Sequence, residues 1–126
     1  MTAFLAGAFL ILHGLLHAGV WAAPQQPDRA APFVPGHSWV LAAGHVSLAQ
    51  TRAWALVIAW YTAVVYSLAG AGVLAGSAWW PTAAVVAAAS GLALKAIWFD
   101  PWLGVGVLLD IGVVVAGACT WPPSLY

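Results

Sequence analysis

Uncharged apolar stretches long enough to cross a bilayer recur four times along the chain, and four of the six charged residues fall between them. A membrane-spanning helix needs about 20 mostly apolar residues. On that measure the first span covers about residues 2–23 and ends at Pro24-Gln25-Gln26-Pro27-Asp28-Arg29, a polar, proline-broken stretch that no helix continues through. The second covers 53–75, after Arg52 and before Gly76-Ser77. The third opens on Pro81, a favoured first-turn residue, and covers 81–99; the fourth covers 101–121 and stops ahead of Pro122-Pro123. Asp100-Pro101 leaves only a tight turn between the last two. The pattern predicts an all-α polytopic membrane protein, a single four-helix transmembrane domain over residues 1–126 with a longer loop at 24–52.

The long loop is more than a tether. His37-Ser38-Trp39-Val40-Leu41-Ala42-Ala43-Gly44-His45 is apolar enough to lie in the interface, to re-enter the bilayer, or to fold back over the bundle as a lid. Val20-Trp21-Ala22 loosely suits a signal-peptidase site, but no positive charge precedes the apolar run and the sequence starts at Met1, so the first segment is expected to stay as a helix. Counting crossings places the 24–52 loop and Asp100 on one face, with both termini and the Gly76–Trp80 turn on the other. Arg29, Arg52 and Lys95 lie at or near the first face, so the positive-inside rule makes it cytoplasmic and puts the termini outside the cell membrane. Trp21, Trp54, Trp79, Trp80, Trp98, Trp102 and Trp121 fall near span ends and read as interfacial anchors.

Composition sharpens this picture by exclusion. With 64% hydrophobic and 5% charged residues and a mean hydropathy of +0.97, the chain is not a water-soluble globule. Three Lys+Arg against three Asp+Glu leave no basic patch for nucleic acid. Cys119 is alone, so no internal disulfide and no cysteine-rich zinc site can form. No nucleotide-loop, serine-hydrolase or HExxH pattern occurs, and the chain has no glutamate.

Helices in lipid associate through small residues that let backbones approach. Such residues stand in rows here: Ala55, Ala59, Ala63, Ser67 and Ala71 in the second span; Ala83, Ala87 and Gly91, with Lys95 next in the row, in the third; Ala3, Gly7, Gly14 and Ala18 in the first. In the fourth, Gly106 precedes Asp110 by one turn and Gly117 follows it by two. The ionisable residues therefore sit on or beside close-packed faces, as charges at membrane depth usually do.

At ~1.5 Å per residue from the Asp100 face, Asp110 and His13 lie roughly 15 Å deep, and Lys95 and His17 roughly 8–9 Å deep. These four are the candidate ligand- or ion-binding residues, with His37 and His45 as possible contributors from the loop. Lys95 can pair with Asp110 or Asp100, or snorkel to the interface. Asp110 reads either as a proton- or cation-binding carboxylate or as a structural one satisfied by Lys95 or a histidine. His13 and His17, at i and i+4, can offer two imidazoles to one metal or bond to neighbouring helices. A metal would need further donors from Asp110, His37, His45 or Cys119, and a bis-histidine haem would need histidines on two spans, whereas only the first has any. No particular cofactor is indicated. Asp28, Arg29 and Arg52 read as solvated loop charges.

His13-Gly14-Leu15-Leu16-His17, together with Trp98-Phe99-Asp100-Pro101-Trp102-Leu103-Gly104 leading into the last span, resembles a group of small four-helix bacterial integral membrane proteins whose first helix carries a His-Gly-Leu-x-His segment. The resemblance implies the same span order and a recurring histidine pair, and it brings no assigned activity. Two functions compete: a bundle, alone or as a homo-oligomer, that binds or moves a small ligand, ion or proton at its polar cluster, and an accessory or assembly subunit of a larger membrane complex. A membrane metal or haem redox protein is the third. Small-residue seams that all close on each other favour the first; a seam left facing lipid favours the second.

Overall fold

The computed structural model describes residues 1–24 and 33–126, so the expectations for Asp28 and Arg29 lie outside the described residues. These form five α-helices and no strand: α1 (Thr2–Ala22), α2 (Trp39–Ala43), α3 (Leu48–Leu74), α4 (Trp80–Ile97) and α5 (Gly104–Ala118), the last entered through a 3-10 turn at Pro101–Leu103. Helices α1, α3 and α4 and the Pro101–Ala118 segment are long and apolar enough to cross a membrane. The protein is an all-α, multi-pass membrane protein.

The second span begins at Leu48, five residues earlier than its apolar run suggests. Ser47 and Gln50 form a capping box: Ser47 Oγ accepts from the Gln50 amide and Gln50 Oε1 accepts from the Ser47 amide, both at 3.3 Å. Two orphan donors of the first turn are thus satisfied, and the polar Thr51 and Arg52 become helical. The 27 residues of α3 reach ~40 Å, beyond a hydrocarbon core of about 30 Å. The other ends fall short of the apolar limits, at Ile97 and Ala118. Before α5, the Asp100 side chain accepts from the Trp102 amide at 2.8 Å, which builds the tight turn.

Helix α3 lies between α1 and α4, and α5 packs chiefly on α4. Small residues set these contacts. A Cβ at Gly70 would stand 2.6 Å from the Gly7 carbonyl oxygen, and one at Gly14 would stand 2.6 Å from Tyr66 Cβ, so the α1 and α3 backbones touch where only glycine fits. Ala59, Ala63, Ala87 and Ala88 fill the middle of the bundle. Gly117 receives Val85. The expected α3 row holds through Ala55, Ala59 and Ala63, then drifts: Ser67 is half-buried and Ala71 exposed. A four-residue step overshoots a turn by about 40°, and Gly70 replaces Ala71 at the seam.

The loop folds over the end of the bundle. Ser38 Oγ donates to the Ile97 carbonyl at 2.7 Å and Trp39 Nε1 to the Ala96 carbonyl at 2.8 Å, which satisfies two orphan acceptors at the end of α4. Trp98 Nε1 donates to the Pro35 carbonyl at 2.9 Å. Trp21 meets Phe33 and Trp98 edge-on, with ring centroids 4.5 and 5.8 Å away. Two of the expected anchors, Trp21 and Trp98, are therefore 1% exposed core residues, and Trp80 is buried as well. Trp54, Trp79, Trp102 and Trp121 face outward.

Candidate intramembrane polar site

Helix α5 consists of Gly, Val, Leu, Ile and Ala around one polar residue, and that residue, Asp110, is its one buried side chain. The carboxylate meets partners from all three other spans. His13 Nε2 on α1 lies 2.7 Å from Oδ1; the Tyr66 hydroxyl on α3 donates to the same oxygen at 2.7 Å; Lys95 Nζ on α4 donates to Oδ2 at 2.7 Å. His17 Nε2 stands 3.7 Å from Oδ2 and 2.6 Å from Lys95 Nζ. All five side chains are buried. No buried side-chain nitrogen or oxygen among the described residues lacks a partner. Lys95 turns inward here; it does not snorkel.

The tautomers follow from the partners. His17 Nδ1 lies 3.0 Å from the His13 carbonyl, which can only accept, so Nδ1 carries the proton. In the neutral ring Nε2 is then an acceptor, and it takes a hydrogen bond from the Lys95 ammonium. His13 donates Nε2–H to Asp110. With Lys95 charged, Asp110 charged and both imidazoles neutral, the cluster has no net charge, the arrangement least opposed by lipid.

Two glycines make the approach possible. A Cβ at Gly91 would stand 2.5 Å from Asp110 Oδ2 and 2.9 Å from His17 Nε2; one at Gly106 would stand 2.7 Å from Lys95 Cε. Gly91 admits the carboxylate to α4, and Gly106 admits the lysine stem to α5. On α1, His13 is flanked by Phe9, stacked at 5.6 Å, and is met edge-on by Tyr66 at 4.9 Å.

The structure thus brings His13, His17, Lys95 and Asp110 together and leaves His37 and His45 exposed on either side of α2. Cys119 is exposed at the opposite end. Sequence reasoning missed Tyr66. The signal was a phenol at mid-span, three residues beyond Ala63 on the small-residue side of α3, where a buried hydroxyl requires a partner.

Ligand atoms of His13, His17 and Asp110 lie within 4.8 Å of one another, a spacing that can hold a metal ion. The Lys95 ammonium stands among them, in contact with both His17 and Asp110. It fills the role of the cation, and a metal would have to displace it.

Between α1 and α5 the bundle leaves a crevice of about 350 Å³. His13, His17 and Lys95 line its polar end, Leu16 and Leu109 its walls, and Trp102 its mouth; Asp110 and Tyr66 are not on its surface. The cluster is therefore closed toward α3 and accessible from the α1/α5 side. In comparisons with protein-family models, curated proteins and solved structures, nothing matches this chain.

Proposed function

We propose that this membrane protein binds a small ligand or a proton at the His13–His17–Lys95–Asp110 cluster, which it presents through the crevice between α1 and α5. The observation that carries the reading is the pairing of a fully buried four-span ionic network with an opening that reaches three of its members. Ionisable groups at membrane depth are retained at a free-energy cost and usually serve function. A merely structural network would need no access.

The small-residue rows bear on the competing accessory-subunit reading. Gly7 and Gly14 close on α3, Gly91 on Asp110, Gly106 on Lys95 and Gly117 on Val85, all within one chain. This supports a self-contained bundle. The weak excess of Arg and Lys toward the α2 end supports a cytoplasmic location for that end, with Cys119 outside.

In nitrogen-15 histidine NMR of the protein in lipid nanodiscs, His17 is expected as the Nδ1–H tautomer and His13 as the Nε2–H tautomer. Lys95→Met should shift the His17 Nε2 signal, because that nitrogen faces the ammonium in the native protein. The opposite tautomers, or His13 and His17 signals that stay unchanged on Lys95→Met, would remove the cluster as described, and the accessory-subunit reading would replace this one.

A further inference from the structure

The chemistry of the crevice narrows the ligand, on the premise that the cluster is a ligand site. Its polar end presents His13, His17 and Lys95, without the carboxylate. Asp110 is closed on every side: Oδ1 accepts from His13 and Tyr66, Oδ2 accepts from Lys95, and the remaining flank of Oδ2 lies against Gly91. At the carboxylate an incoming hydrogen-bond donor or cation finds no free acceptor and meets an ammonium; the acceptor left on the three lining side chains is the neutral His13 Nδ1. Lys95 directs two of its protons to His17 and Asp110, while the third reaches the Gly91 carbonyl only at 3.5 Å. That long bond to the Gly91 carbonyl is the one an acceptor oxygen in the crevice would replace.

Charge balance separates the acceptors. Lys95 and Asp110 already neutralise each other, so an anionic head would leave a net negative charge inside the hydrocarbon region, at a cost of several kcal/mol. A carbonyl oxygen changes no charge. The rest of the crevice is apolar, with Leu16 and Leu109 on the walls and Trp21 and Trp102 toward the loop end, a lining suited to an apolar ring. Its volume of about 350 Å³ takes a ring and the start of a chain, and the gap between α1 and α5 lets the chain continue along the bundle surface.

We propose that the α1/α5 crevice binds a neutral, chain-bearing cyclic ketone of the quinone class, entering sideways from the bilayer and accepting a hydrogen bond from Lys95. Binding alone is proposed, with no electron transfer.

The experiment measures decylubiquinone retained by the protein in nanodiscs after removal of free quinone, for wild type, Leu109→Trp and Lys95→Met/Asp110→Asn. Leu109→Trp fills the crevice; the double variant removes the donor without leaving a bare charge. Circular dichroism and gel filtration check that each folds. Wild type should retain the quinone saturably, the double variant should bind roughly tenfold more weakly, and Leu109→Trp should retain no more than empty nanodiscs. Palmitate and tetraphenylphosphonium should not displace the quinone. Equal, non-saturating retention by all three proteins would overturn the proposal. Saturable palmitate binding with no quinone binding would overturn the choice of a neutral head and leave the ligand site standing. Absence of saturable binding of every probe would overturn the ligand.

Discussion

Replacing Asp110 by Asn changes one atom's chemistry and tests the whole network. The Asn carbonyl can keep the hydrogen bonds from His13 and Tyr66. Its NH₂ group then takes the place of Oδ2, 2.7 Å from Lys95 Nζ, so two donors face each other and a buried ammonium loses its counter-charge. Removing one partner of a buried ion pair destabilises by about 3–5 kcal/mol. Lys95→Met leaves the carboxylate with its hydrogen bonds from His13 and Tyr66, so the expected cost is smaller, about 2–3 kcal/mol. In the double variant no charge remains, and the Asn NH₂ lies 3.7 Å from His17 Nε2, which has lost its donor. A small shift makes that hydrogen bond, worth about 0.6 kcal/mol by the measured average in membranes. The double variant is expected within about 1 kcal/mol of wild type, giving a coupling energy of at least about 4 kcal/mol. Reversible unfolding by SDS in mixed micelles, followed by far-UV circular dichroism, measures all three. Additivity of the two substitutions to within about 0.5 kcal/mol would refute the network as described.

Three further outcomes are expected from the same unfolding assay and from hydrogen exchange. Gly70→Ala, whose Cβ would meet the Gly7 backbone oxygen at 2.6 Å, should destabilise by about 1–3 kcal/mol, whereas Gly112→Ala, with nothing within 4 Å, should stabilise by up to about 1 kcal/mol through helix propensity. Equal effects would show that the α1/α3 contact is looser than described. Tyr66→Phe should cost about 0.6–1.7 kcal/mol, the range for interhelical hydrogen bonds in lipid, and no change would remove Tyr66 from the network. Ser38→Ala should release the loop from the end of α4 at a cost of about 0.5–1.5 kcal/mol and speed amide exchange in residues 38–44, with α1 unaffected.

The four spans are legible because each is an apolar run of bilayer length, and their number and order needed nothing else. The start of α3 is not, because an apolar window ends at Arg52 while the helix begins where Ser47 and Gln50 can cap it. Counting residues also brings His13, His17, Lys95 and Asp110 to neighbouring levels of the bundle, where they meet. Rotation is what counting leaves open. Lys95 could equally have pointed to the interface, and the room that Gly91 and Gly106 leave between α4 and α5 turns it inward. Trp21 and Trp98 occupy positions that suit an interfacial belt as well as a core. Their partners Phe33 and Pro35 come from the loop, where no periodicity could reveal the contact.

The makeup of α5 has a consequence for how the chain assembles. Its last span is otherwise apolar, built of Val, Leu, Ile, Gly and Ala, so apart from the close contacts at Gly106 and Gly117 no side chain fixes its turn on α4. A slip of one residue rotates a helix by about 100°, enough to swing Asp110 into lipid and strand Lys95 beside two imidazoles. The lone carboxylate therefore works as a key: it selects one azimuth and one height from many that dispersion forces barely distinguish. A chain stalled before Asp110 would present the unmatched positive charge of Lys95 within its spans, a defect that persists until the final helix docks in phase.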